Sequence, residues 1–209
     1  GVIPAKAGTH WRLRQATIVS GPPLLPKTPA HAPSLAFLSV PPICSTDEHS
    51  RGGTMRYFDD FEIGERHDIP ATYEMTRDEI VSFAGKWDPQ PFHVDEEAAA
   101  KSVYGTLTAC GTHIQAVVLW LAARLPEETA VIGALGYDEV RFHKPARLGD
   151  TLRLAIECIE TKPSSSKPDR GVVKNRHILT NRDGETIFTQ ITTLLIARRR
   201  EADRKETTT

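Results

Sequence analysis

At Pro126 the hydrophobic period of this chain changes from helical to alternating, and that switch constrains the fold more than any other feature of the sequence. Ahead of it, "YGTLTACGTHIQAVVLWLAARLP" places Ile114, Val117, Val118, Leu121 and Leu125 on one helical face, while Ala116, Leu119, Trp120 and Ala123 fill the other sides. A helix apolar almost all round is a buried one. Beyond it, four alternating runs predict strands at roughly 132–143, 150–161, 171–181 and 185–197. In "TLRLAIECI" the apolar side carries Leu152, Leu154, Ile156 and Cys158. The pair Asp183-Gly184 between the last two runs is a hairpin signal, and the loop chemistry of "KPSSSKPDRG" separates the second run from the third. No internal repeat interrupts this order. One buried helix ahead of a run of antiparallel strands predicts a single α+β domain whose sheet curls around a long central helix.

Upstream, "TRDEIVSFAGKW" sets Thr76 and Glu79 at capping-box spacing before Ile80, Val81, Phe83 and Ala84, which predicts a short helix. A second follows in "VDEEAAAKS", with Asp95, Glu96 and Glu97 in its first turn, where carboxylates suit the positive end of the helix dipole. Between them lies "WDPQPFHVDEE". Proline fixes its own φ and drives the preceding residue out of the helical region, so Asp88 and Gln90 are expected to be extended, in a stiff loop carrying an acid, an amide and an imidazole.

The formal net charge of −1 over 209 residues leaves no electrostatic footprint for nucleic acid or an anionic membrane, and no apolar run is long enough to cross a bilayer. Arg198, Arg199 and Arg200 read as a solvated cluster. Cys44, Cys110 and Cys158 are widely spaced, which indicates neither a disulfide framework nor a zinc site and suits a reducing cytoplasm. The histidines form no metal-binding spacing either, so no metal is expected. Residues 1–54 differ from the rest. They hold eight of the fifteen prolines but only two of the twenty-seven acidic residues, a composition that builds no core. A secretory segment and a transit peptide are both readings of this leader. The favoured one is translation from a misplaced start, because Met55 is the first methionine and "VIPAKAGTH" resembles peptides translated from dispersed bacterial intergenic repeats. The expected division is therefore a disordered leader over 1–54, a domain over 55–198 and a flexible polar tail over 199–209.

The stiff loop and the start of the buried helix lie about twenty residues apart and can face one cleft. Gly111 opens that helix, where free backbone N–H donors and the helix dipole would stabilise negative charge on a thioester oxygen. Asp88 would take a proton from water while His93 holds that water and returns a proton to carbon. The plainer readings stand beside this one. Asp before proline is a common turn former, His before a helix is a common cap neighbour, and Gly111 serves helix packing equally well. Trp87 and Phe92 read as core or loop anchors, His113 as a satisfied buried imidazole, and His143 as a solvent-facing residue at a strand end.

These residues carry a resemblance. With Asp88, Pro91 and His93 in "DPQPFH", an acidic helix after them, "ACGTH" further on, and "YFDDFEIGE" and "HKPARLGDTL" as flanking segments, the stretch from Met55 to about Arg198 resembles the MaoC-like, or (R)-specific, enoyl-CoA hydratases. The resemblance implies a hot-dog fold and interconversion of trans-2-enoyl-CoA and (R)-3-hydroxyacyl-CoA without a cofactor. It implies Asp88 and His93 on the water, the Gly111 amide on the thioester oxygen, and Gln90, Phe92, Cys110 and Thr112 against the substrate. Gln90 stands where many members have Asn, and Cys110 where many have His. The implied partners are an acyl-CoA and a second copy of the chain, as a homodimer, a dimer of dimers or a trimer of dimers. A thioesterase and a non-catalytic acyl-binding module on the same fold are the alternatives.

Overall fold

The computed structural model describes residues 55–199. The leader expected at 1–54, and all but Arg199 of the expected tail, lie outside the described residues. The chain enters through a single 3-10 turn, Phe58–Asp60, and two short strands, β1 (Arg66–Asp68) and β2 (Tyr73–Glu74). Neither strand is long enough to show a period in the sequence. Four helices follow: α1 (Arg77–Trp87), α2 (Pro91–Val94), α3 (Glu96–Lys101) and α4 (Gly111–Ala122). Long strands complete the chain: β3 (Val131–Phe142), β4 (Thr151–Pro163), β5 (Arg170–Thr180) and β6 (Thr186–Ala197). Each begins and ends within two residues of its expected bounds. The sheet is antiparallel, ordered β1-β4-β5-β6-β3, with β2 also paired to β4.

Local chemistry accounts for the ends of these elements. Thr76 Oγ1 accepts from the Glu79 amide at 3.4 Å and starts α1, and Asp95 accepts from the Ala98 amide at 2.7 Å and starts α3. The β5–β6 hairpin turns at Gly184, whose φ of +78° suits a residue without a Cβ, while Asn181 Oδ1 accepts from the amides of Asp183 and Glu185.

The core lies between α4 and the sheet. Ile114, Val117, Val118 and Leu121 of α4 pack with Leu152, Leu154, Leu179 and Phe188 in one buried cluster. Burying side chains of this size contributes about 1.5–3 kcal/mol each, which is why the helix sits where it does. A smaller cluster of Phe58, Cys158, Val173 and Ile196 closes the far end of the sheet. The expectation of a helix buried almost all round holds for one face, His113, Ile114, Val117, Val118 and Leu121. Thr112 and Leu119 are exposed, and so are Val131, Ile132, Leu135, Tyr137 and Phe142 along the neighbouring edge strand β3.

Candidate active site

Asp88 is the C-cap of α1 and His93 lies inside α2. Gln90 is extended as expected, but Asp88, at φ −157° and ψ 73°, is not, and the stretch is not an extended loop throughout. Pro91, with its preset φ and no N–H to leave unpaired, occupies the first position of a one-turn helix that turns His93 inward. The imidazole is nine-tenths buried. Its Nδ1 donates to the Thr108 carbonyl at 2.6 Å, and its Nε2 faces Asp88 Oδ2 at 3.8 Å. With the proton of the neutral ring held on Nδ1, Nε2 presents a lone pair. The gap to Asp88 exceeds a direct hydrogen bond and suits one water bridging the two groups. The Asp88 side chain keeps 39% of its surface, so the pair opens to solvent on the carboxylate side.

Thr108 stands three residues before Gly111, which ties the imidazole within ~10 Å of the first amide of α4. Its N-cap, Cys110, makes no side-chain capping bond, so the first-turn amides keep their donors for another partner. Gly111 has a packing reason as well: a Cβ there would meet the Phe142 ring at 2.8 Å. Both sequence readings of this glycine thus have a physical basis, and Phe142 emerges as a wall of the site.

The remaining expected residues divide. Phe92 packs on the core and meets the His93 ring edge-on at 4.5 Å between centroids. Gln90 is exposed, and its backbone carbonyl accepts from the His93 amide. Cys110 is sealed at 1% exposure with its Sγ 3.4 Å from Thr112 Oγ1, so it supports the site from beneath and offers no open surface to a ligand. Thr112 is exposed. Trp87 is no core anchor: 63% of it is exposed, because α1 ends there and turns its last residue outward. His113 is buried and stacks on Phe83 at 4.4 Å, but it is not satisfied, since its Nδ1 has no partner. Burial lowers its pKa, against a smaller opposing pull from Glu79. His143 is exposed just past β3 and its Nε2 meets Thr189 Oγ1 at 2.9 Å, as a strand-end residue should. Thr108 and Phe142 carry no motif signal, and only the folded chain brings them here.

A cavity of about 600 Å³ lies elsewhere, lined by His143, Lys144, Arg176, Glu185 and Thr189 among others. Arg176 alternates with the buried positions of β5, so this cavity is on the outer face of the sheet. Its bases are matched to acids: Lys144 pairs with Glu185 and Arg176 with Glu157. No three metal-ligating side chains cluster among the described residues. No helix there is long and apolar enough to cross a membrane.

Known proteins share this fold. A 3-hydroxybutyryl-CoA dehydratase of Methylorubrum extorquens is 30% identical over 109 residues, which span 51% of this chain and 66% of that protein. The crystal structure of a MaoC-like dehydratase from Rhodospirillum rubrum superposes with a TM-score of 0.64 at 32% identity, covering 69% of this chain and 99% of that one. A Mycobacterium tuberculosis protein with a double hot-dog fold, 19% identical, shares the fold with a TM-score of 0.63 over 72% of this chain and 46% of that one. Residues 60–181 match the family model described as the MaoC like domain. The sheet wrapped on α4 is therefore a hot-dog domain, and the chain belongs to the MaoC-like dehydratase family.

Proposed function

We propose that this chain hydrates a trans-2-enoyl thioester to the (R)-3-hydroxyacyl thioester, or catalyses the reverse dehydration, with coenzyme A as the carrier. The observation that carries this reading is the Asp88–His93 pair, held 3.8 Å apart with His93 Nδ1 fixed on Thr108. A water seated between Asp88 Oδ2 and His93 Nε2 gives up a proton to the pair as its oxygen bonds to C3. Charge then moves to the thioester oxygen, where the Gly111 amide and the first turn of α4 stabilise it. The pair delivers a proton to C2 through His93 Nε2 and ends as it began, so one water is consumed and no other reactant is needed. The relatives bearing dehydratase names support this choice over hydrolysis of the thioester.

The uncovered edge supports a homodimer. β3 is the long free edge of the sheet and carries Leu135 at 58% exposure among other apolar residues, a liability unless another strand pairs with it. Cys110 and Cys158 are buried, unbridged thiols, in keeping with a reducing cytoplasm. Incubation of the purified chain with enoyl-CoA thioesters, following enoyl absorbance and thiol release together, tests the reaction. Loss of absorbance with the thioester intact is expected. Thiol release alone would make the chain a thioesterase, and no turnover would make it an acyl-binding module.

A further inference from the structure

The inner face of the sheet is apolar at both ends and polar between them. On β5 the inward positions run Val173, Asn175, His177, Leu179, and His177 lies opposite Gln190 of β6 as Asn175 lies opposite Thr192. Leu179 belongs to the core under α4, and Val173 to the smaller cluster at the far end. Asn175, His177, Gln190 and Thr192 are all more than nine-tenths buried. A buried polar belt costs free energy unless its groups find partners.

Part of the belt is satisfied, and its bonds fix its chemistry. Gln115 of α4 donates to Gln190 Oε1 at 3.1 Å, which orients the Gln190 amide. Its Nε2 then donates to Thr192 Oγ1 at 3.2 Å and faces His177 Nδ1 at 3.5 Å. With Nδ1 facing a donor, the His177 proton sits on Nε2. Burial keeps that ring uncharged, its pKa pushed down to about 4. What remains is a set of donors without acceptors among the described residues: His177 Nε2–H, the Thr192 hydroxyl and the Asn175 amide. His177 Nε2 and the Asn175 amide are not sealed, because the fully enclosed side-chain atoms without a hydrogen bond among the described residues are His113 Nδ1 and Arg198 Nε, the latter in an ion pair with Asp59. These groups therefore keep a trace of accessible surface despite their depth.

The belt is in step with the proposed reaction centre. Gly111 rests on Phe142, which pairs with Phe188 in the sheet, and one turn further along α4 Gln115 meets Gln190, two residues further along β6. A helical turn advances ~5.4 Å and two strand residues ~6.7 Å, so helix and strand run alongside each other, and the belt begins about one turn beyond the Gly111 amide.

We propose that Asn175, His177, Gln190 and Thr192 form the subsite for the distal end of the acyl group, selecting short acyl thioesters that carry an acceptor oxygen there over plain alkyl ones. A carboxylate, carbonyl or hydroxyl accepts the free donors, whereas an alkyl end leaves them dry. This rests on the hydratase reading only for the identity of the thioester, so its test is by binding. Pentanoyl-CoA, 4-hydroxybutyryl-CoA and succinyl-CoA are saturated and cannot be hydrated. At least one oxygenated thioester should bind the wild-type chain ~10²-fold more tightly than pentanoyl-CoA, the upper end of what one buried donor left unpaired costs. Preference for succinyl-CoA identifies a carboxylate and preference for 4-hydroxybutyryl-CoA a neutral oxygen, and either supports the subsite. Thr192→Val with Asn175→Leu, matched in shape, removes two of the three donors and should cut the preference by roughly tenfold or more while pentanoyl-CoA binds as before. Should that variant not fold, the wild-type comparison decides alone. Equal or tighter binding of pentanoyl-CoA, no binding of any of the three, or a preference undiminished in a folded double variant overturns the subsite. Failure to hydrate any enoyl thioester overturns the reaction instead.

Discussion

Leu179 and His177 stand two residues apart on β5 and face the same way, yet they occupy different kinds of interior. Around Leu179 the side chains of Leu154, Phe188 and Val118 meet by shape, and no atom there asks for a partner. Around His177 the neighbours are amides and a hydroxyl, joined by bonds of 3.1 to 3.5 Å that leave donors over. Equal burial thus hides unequal purposes. Packing that is complete in itself reads as scaffold, and packing that leaves hydrogen-bonding capacity facing an opening reads as a place for something else. The Asp88–His93 pair follows the second pattern, with one imidazole nitrogen committed to Thr108 and the other left to a guest.

If the comparison is sound, the two interiors fail differently. The largest effect belongs to the site. Asp88→Asn keeps the shape and removes the base, and His93→Ala removes the imidazole, so each should lower kcat by ~10²–10⁴-fold per folded molecule, with the thermal midpoint little changed for Asp88→Asn and lowered for His93→Ala, which leaves the Thr108 carbonyl unpaired. Near-native rates, or a loss explained by unfolding, would return the pair to turn formation. Phe188→Ala strikes the dry interior and should cost about 3–5 kcal/mol in urea unfolding, with turnover per folded molecule far less affected. A loss under 1 kcal/mol there would mean that α4 is held by something other than this cluster.

The belt should show itself through pH. His177 accepts a proton only near pH 4 in the folded chain, against its usual 6.5 when unfolded. Between those values the unfolded chain binds the proton that the folded one refuses. Stability is therefore full above pH 6.5 and falls as the pH drops towards 4, by at most roughly 3 kcal/mol. His113, shifted the same way by burial, adds to the slope. Urea midpoints across this window should fall in the parent and fall less in His177→Gln; identical slopes would show that solvent reaches the ring freely. The smallest effect on folding is expected at the edge. Leu135→Lys should change stability by no more than about 0.5 kcal/mol, while light scattering reports a monomer in place of a dimer. A dimer that survives this charge would place its interface away from β3.

Much of this molecule is legible from its sequence, and the limits are physical. The four long strands and α1 are written in local signals, alternation on one hand and the Thr76–Glu79 spacing on the other. β1 and β2 are too short for a period, and α2 is a single turn that Pro91 opens inside what reads as a stiff loop. Asp88 and His93 are found by motif, and their approach follows from it. Thr108 and Phe142 are not, because each reaches the site across a contact between distant parts of the chain. The belt is hidden for another reason. In "GVVKNRHILT" polar residues fall at both phases, Lys174 and Arg176 on one side, Asn175 and His177 on the other, so alternation alone cannot tell which side is covered.

The pairing of β3 with β6 slips at three places, between Val131 and Gly133, Ala134 and Gly136, and Asp138 and Arg141, and the last slip holds Glu139 at a φ of +48°. A left-handed residue with a side chain costs on the order of 1–2 kcal/mol, so the irregularity is kept against a penalty. Such a strand is a poor template for an arbitrary extended chain, because each bulge bends the edge and throws a straight newcomer out of step. Only a strand with matching breaks can follow it along its length. The irregular edge is therefore closed to the runaway strand stacking that a long apolar edge would otherwise invite.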